Sequence, residues 1–250
     1  MEKKYFLAVP VLFILFSILF PVRSGTDFHF EDIKTVSEPV FSDSSASNFP
    51  CFPGKECTAY VNFGSLSVIG FLDGELLVKN SDSSCKNLVF ENKSRIKTVY
   101  SVAISKDAEY IAAIVGADPK YLFIFKEKKG TWTLLRQDKL CSDERRSVYL
   151  EFSGDVLLYE MAGTIASYNL HDASCAVMNI GEDIQTVASD PEKDYFWVLS
   201  KHNLYAFKYN GKRISMMPYN SYGKILKQSG DIVTLDIDGK LYSARLVEGK

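Results

Sequence analysis

The chain has 250 residues, 46% hydrophobic and 13% aromatic, with 29 basic and 31 acidic side chains and a formal charge of −2. This composition excludes a disordered chain and suits a packed core. The near balance of charge offers no basic face, so no nucleic-acid partner is expected.

At the N-terminus, Lys3 and Lys4 precede an apolar stretch from Tyr5 to Val22, interrupted by Pro10, Ser17 and Pro21 and closed by Arg23. As a helix its 18 residues would span ~27 Å at ~1.5 Å per residue, close to a hydrocarbon core and longer than the ~7–15 residues of a cleaved signal's apolar region. Residues 1–25 therefore read as a signal-anchor transmembrane helix. Two lysines before it and one arginine after it put the remainder outside the cytoplasm, on the periplasmic side if the membrane is a bacterial inner one. The competing reading is export with cleavage near Ser24, after Val22-Arg23-Ser24.

Residues 26–56 read as a tether. Ser42 to Asn48 is polar and flexible in composition, whereas Phe28 to Val36 has strand character. Cys51 and Cys57 flank Pro53-Gly54 and form a candidate disulfide in an oxidising compartment. The other cysteines are Cys85, Cys141 and Cys175; the chain has no Cys-x-x-Cys, so no zinc or redox site is expected.

From residue 57 to residue 250 one cassette returns: apolar strand, Ser-x-Asp type turn, apolar strand. It is clearest from Val102 to Ala112, and it recurs around Ser153, Ser189 and Ser229, at successive spacings of 48, 36 and 40 residues. An earlier copy around Phe63 stands 42 residues before Ser105. These steps bracket the ~40–45 residues of a four-stranded repeat. Third strands recur as well, at Tyr121 to Ile124, Thr164 to Tyr168, Asn203 to Ala206 and Lys240 to Ser243. Asp73-Gly74, Asn210-Gly211 and Asp238-Gly239 mark tight hairpins.

In the second unit the strands are expected at Tyr100–Ser105, Tyr110–Val115, Tyr121–Lys126 and Thr131–Arg136. In the third they are expected at Val148–Phe152, Val156–Met161, Thr164–Asn169 and Cys175–Ile180. Val148, Leu150 and Phe152 alternate with Tyr149 and Glu151, which marks a half-buried strand. Tyr121 to Phe125 and Tyr195 to Leu199 are apolar throughout and should be covered on both faces. The last unit shows no fourth strand after Val247, and Phe28 to Val36 is the segment that can supply it.

The run from Ala103 to Ala112 resembles the strand-turn-strand signature shared by WD40-like, TolB-like and YVTN-type β-propellers. The resemblance implies an all-β fold of about five four-stranded blades, the alternatives being six blades or an open ring. Two departures stand out: no unit ends in Trp-Asp, and Ala108 occupies the place of the usual glycine after the turn aspartate.

Reactive signatures are weak. His29, His171 and His202 are not spaced as a metal pair. Asp236 to Gly239 lacks the further oxygen ligands of a calcium loop, and Lys129 to Trp132 lacks the upstream serine and aspartate of an Asp-box. Asp107, Asp155 and Asp231 stand at matching turns, which points to backbone capping. No catalytic residue, metal or cofactor is expected, and an enzyme is the less favoured reading. The leading expectation is a membrane-anchored extracytoplasmic propeller that binds a protein or cell-envelope component as a scaffold. Its first candidate contact is the loop Asp143-Glu144-Arg145-Arg146, since loops on a rigid frame carry function. The alternative is a glycan hydrolase or lyase with an acidic site on one face.

Overall fold

A computed structural model describes residues 28–35, 54–82, 84–90, 98–116, 119–140, 149–161, 163–218 and 221–248. Twenty strands form five four-stranded antiparallel sheets. The first contains β2 (Cys57–Phe63), β3 (Leu66–Phe71), β4 (Leu76–Lys79) and β5 (Cys85–Leu88). The second contains β6 (Val99–Ile104), β7 (Tyr110–Gly116), β8 (Lys120–Lys128) and β9 (Thr131–Lys139). The third contains β10 (Leu150–Ser153), β11 (Val156–Met161), β12 (Thr164–Asn169) and β13 (Cys175–Asn179). The fourth contains β14 (Ile184–Ser189), β15 (Tyr195–Ser200), β16 (Asn203–Lys208) and β17 (Arg213–Pro218). In the fifth, β18 (Gly223–Ser229), β19 (Ile232–Ile237) and β20 (Lys240–Glu248) are joined by β1 (Phe28–Thr35) from the other end of the chain. β1 runs antiparallel to β20 with Phe28 opposite Glu248 and Thr35 opposite Tyr242.

Each sheet is a meander, so its connections sort onto two sides of the molecule. The turns after the first and third strands share one side, here the turn face. The turns after the second strand, and the connections to the next sheet, share the opposite side, here the connection face. β20 leaves the connection face at Lys240 and ends on the turn face at Glu248, and β1 therefore begins on the turn face.

Successive sheets stack through apolar cores. One core joins the first and second sheets through Val68, Leu76, Val99, Ile111 and Phe123. Another joins the second and third through Ile114, Leu122, Leu150 and Leu157. Leu158, Ile165, Phe196 and Phe207 join the third and fourth, and Trp197, Leu204, Val233 and Leu235 join the fourth and fifth. Among the described residues no such core joins the fifth sheet to the first. First strands of neighbouring sheets meet at β2 and β6, β6 and β10, and β14 and β18, and the fourth strands β17 and β1 meet at the outer edge. At Gly70 the approach leaves no room for a side chain, since an added Cβ would meet Val99 Cγ1 at 2.3 Å.

In four sheets the pairing of the first two strands slips by one residue, at Thr58, Tyr100, Gln185 and Leu226. A bulge turns one side chain out of the alternation and sharpens the twist. Two of these residues hydrogen-bond the next sheet. Thr58 Oγ1 donates to the Val99 carbonyl at 2.6 Å, and Gln185 accepts from the Gly223 N–H at 2.8 Å and donates to the Ser221 carbonyl at 3.3 Å.

Candidate interaction faces

On the turn face the repeated cassette divides into two kinds. In the first, third and fifth sheets the opening hairpin is a two-residue turn, and Gly64, Gly154 and Gly230 hold φ of +59°, +57° and +59°. In the second and fourth sheets the turn is longer and a carboxylate holds it. Asp107 accepts from the Glu109 N–H at 3.0 Å and from the Ser105 hydroxyl at 2.5 Å, while Ser105 Oγ accepts from the Tyr110 N–H at 2.9 Å. Asp190 accepts from the Glu192 N–H at 3.0 Å. Burial works against the charge on Asp107, but these hydrogen bonds outweigh it and hold the carboxyl below its usual value. Asp155 and Asp231 do not share this role: the first faces His171 Nε2 at 3.0 Å and the second faces Lys193 Nζ at 2.8 Å. The matching of these aspartates in sequence is thus a matching of position, and only Asp107 of the three caps backbone.

Asp231 belongs to a clasp between the fourth and fifth sheets. Its carboxylate accepts from Lys193 and from the Tyr195 hydroxyl, each at 2.8 Å, while the Gly230 N–H donates to Asp190 Oδ2 at 3.1 Å. Lys193 and Tyr195 pull the Asp231 carboxyl below the ordinary aspartate range, and Asp231 in turn raises the Lys193 ammonium.

The junction of the third and fourth sheets is the most polar in the stack. Of the six buried polar or charged residues among the described ones, four belong to this junction: Ser153, Glu160, Ser167 and Ser200. Tyr209 crosses it, sharing a 2.7 Å hydrogen bond with Ser153 Oγ, accepting at its carbonyl from Ser167 and stacking on Phe196. Toward the rim opens a cleft of about 420 Å³ lined by Ser167, Asn169, Asp172, Cys175, Tyr209 and Asn210. On the first strand, Glu151 is reached by solvent yet crowded by protein, and this desolvation pushes its carboxyl above the usual range against a hydrogen bond from the Tyr149 hydroxyl. The alternation on β10 made Glu151 read as an outward residue. In a stack both faces of an interior sheet meet a neighbour, and that is the signal that would have found it.

Among the described residues three exposed large hydrophobic side chains stand on the connection face, Leu72 (47% exposed), Val89 (62%) and Tyr222 (71%). Beside the first two lies a recess of about 250 Å³ between the β3–β4 hairpin and the end of β5, lined by Asp73, Glu75, Asn87 and Phe90. Lys55 lies over the Phe71 ring, 5.1 Å from its centroid, and pairs with Glu75 and with Asp73 at 3.9 Å. Across the molecule, Glu182 accepts from Asn203 Nδ2 and the Tyr205 hydroxyl, both at 2.8 Å, and from the His202 N–H at 2.9 Å.

The loop Asp143-Glu144-Arg145-Arg146 lies outside the described residues, on the connection between β9 and β10. Cys51 also lies outside them, whereas Cys57 opens β2. The apolar segment 1–25 is outside them too.

Five antiparallel four-stranded sheets, stacked face to face in chain order and with the last completed by the N-terminal strand, define a β-propeller. A family model described as a beta-propeller protein matches residues 51–250. The chain belongs to that family. No curated protein matches. Among solved structures the chain is similar to the β-propeller domain of Myceliophteria thermophila Cps50 (Swd1), with a TM-score of 0.57, 10% identity and coverage of 74% of this chain and 63% of that one. It is similar to BamB from Moraxella catarrhalis, with a TM-score of 0.56, 12% identity and coverage of 75% and 57%. It is also similar to Chaetomium thermophilum Raptor, with a TM-score of 0.55, 13% identity and coverage of 77% and 19%. The chain thus spans less than two thirds of each of these chains. At such identities the likeness is one of fold.

Proposed function

We propose that this propeller is a membrane-anchored scaffold that binds a protein or cell-envelope component outside the cytoplasm. The observation that carries the binding reading is that Leu72, Val89 and Tyr222 are exposed on the same face of the stack, the first two beside one recess. Exposed apolar side chains beside charged neighbours suit a contact with an apolar centre and a polar rim. The anchor and the compartment rest on the apolar segment Tyr5 to Val22 and the lysines before it. The test is capture from detergent-solubilised membranes with the full chain, repeated with Leu72→Asp and Tyr222→Asp. A stoichiometric partner that both substitutions release at least about tenfold supports the reading, since anchors of this kind are worth more than ~1–2 kcal/mol. A partner retained equally by both variants, or no stoichiometric partner at all, counts against it.

A second reading, a glycan-active enzyme, draws on one observation: a desolvated carboxylate, Glu151, beside the Tyr149 hydroxyl. A raised carboxyl suits a general acid, and glycoside cleavage needs a second carboxylate ~5–10 Å from the first. Glycan turnover abolished by Glu151→Gln would decide for this reading.

A further inference from the structure

We infer that the turn face of the propeller lies against the membrane and the connection face points away from it. This orientation rests on the anchor reading above, and two observations point to it once that reading is granted. First, β1 begins on the turn face, because Phe28 stands opposite Glu248 at the end of β20. Second, five residues, Arg23 to Asp27, separate the apolar segment from Phe28. Whatever conformation they take, the six peptide steps from Val22 to Phe28 reach at most ~22 Å at ~3.6 Å each. From Phe28 to Thr35 β1 makes seven steps, a run of ~23 Å at ~3.3 Å each. A connection face resting on the bilayer would require the tether to run fully extended along the whole height of the domain, whereas a turn face resting there lets β1 follow the anchor directly.

The surface chemistry agrees with the assignment. Phe63 is the single exposed large hydrophobic residue on the turn face among the described residues, and the turns of that face carry mixed charge, such as Lys106, Asp107, Lys193 and Asp231. Such a face meets lipid headgroups and does not insert. Leu72, Val89 and Tyr222 are then on the side open to proteins arriving from the compartment.

The orientation is tested with the full chain reconstituted in phosphatidylcholine vesicles that carry an acceptor-labelled lipid. A small donor dye is introduced, one site at a time, through a bioorthogonal residue at Lys106 or Lys212 on the turn face, or at Lys201 or Lys240 on the connection face. All four positions are exposed. Strands of six residues such as β11 set the faces about 20 Å apart, so transfer to lipid should be at least about twofold stronger from the first pair. Stronger transfer from Lys201 and Lys240 overturns the orientation, as does equal transfer from all four, the mark of a propeller lying on its rim. Flotation of the same vesicles separates the two layers of argument: protein that fails to float overturns the anchor and the orientation together, whereas protein that floats with reversed or equal transfer overturns the orientation alone.

Discussion

The second strand of the second sheet and the second strand of the fifth hold the same place in their meanders and are built differently. β7, Tyr110 to Gly116, is buried at every residue. β19, Ile232 to Ile237, buries only Val233 and Leu235, while Ile232, Thr234 and Asp236 stay half-exposed on the other face. β7 is pressed between two apolar cores, and β19 shares in one. Lys227 and Ser243, which pair across β19 with Thr234, extend the polar face over the neighbouring strands. A continuous apolar strand therefore reports a neighbour on each side, and an alternating strand reports one. In the first sheet Ile69 and Phe71, both 1% exposed, are buried on the face that does not share the core with the second sheet, so β3 is covered on both faces as β7 is. The first and fifth sheets do not present matching surfaces.

The sharpest way to break this contrast is to cut a large side chain from each kind of strand. Phe196 is fully buried on β15, whose six residues are all buried between the third and fifth sheets. Phe196→Ala should cost about 3–5 kcal/mol in denaturant unfolding through the cavity it leaves. Thr234→Ala on the half-exposed face of β19 should cost no more than ~0.5–1 kcal/mol. Comparable losses from the two substitutions would mean that the fifth sheet is packed as tightly on its polar face as the interior sheets are.

A smaller effect is expected where the fifth sheet is clasped to the fourth. Because Lys193 and Tyr195 lower the Asp231 carboxyl in the folded chain, the folded state binds this proton less readily than the unfolded state does. The stabilisation is therefore present above the ordinary aspartate value of 3.8 and is lost as pH falls through the lowered value. With the Asp231 side chain 55% exposed, solvent screening limits the contribution to about 1 kcal/mol or less. Asp231→Asn should lower the melting temperature at pH 7 and leave it unchanged at a pH where the aspartate of the parent chain is protonated. An equal loss at both ends of the pH range would mean that the clasp acts through shape and not through charge.

Much of this architecture is legible in the chain. The serine spacing gives the repeat, the apolar runs Tyr121 to Phe125 and Tyr195 to Leu199 mark doubly covered strands, and β11 and β12 fall at the residues expected for them. The last repeat comes up one strand short in sequence, and β1 takes that place. What sequence did not reveal follows from the same stacking. Glu151 and Tyr149 alternate as surface residues would, because periodicity along one strand carries no information about the sheet opposite. The exposed group Leu72, Val89 and Tyr222 comes from three separate connections, and only the meander brings them to one face. The three kinds of aspartate contact at Asp107, Asp155 and Asp231 were hidden for a subtler reason: turns of two lengths place equivalent letters in different local geometry.

The smallest expected effect tests that last distinction at a single residue. The long turn of the second sheet requires a left-handed residue after its aspartate, and Ala108 fills it at φ +59°, with its N–H donating to the Ser105 carbonyl at 2.9 Å. The short turns of the first, third and fifth sheets place glycine at the same φ, where it is free of the Cβ clash that disfavours this region for other residues. Ala108→Gly relieves that clash in the folded chain but also loosens the unfolded chain, so the two terms oppose. The left-handed penalty of ~1–2 kcal/mol exceeds the ~0.4–1 kcal/mol lost to the freer unfolded backbone. A net gain of about 0.5 kcal/mol in the denaturant midpoint, without a change in slope, is expected. A loss would mean that the Asp107 and Ser105 hydrogen bonds already hold the turn so firmly that the alanine carries no strain worth removing.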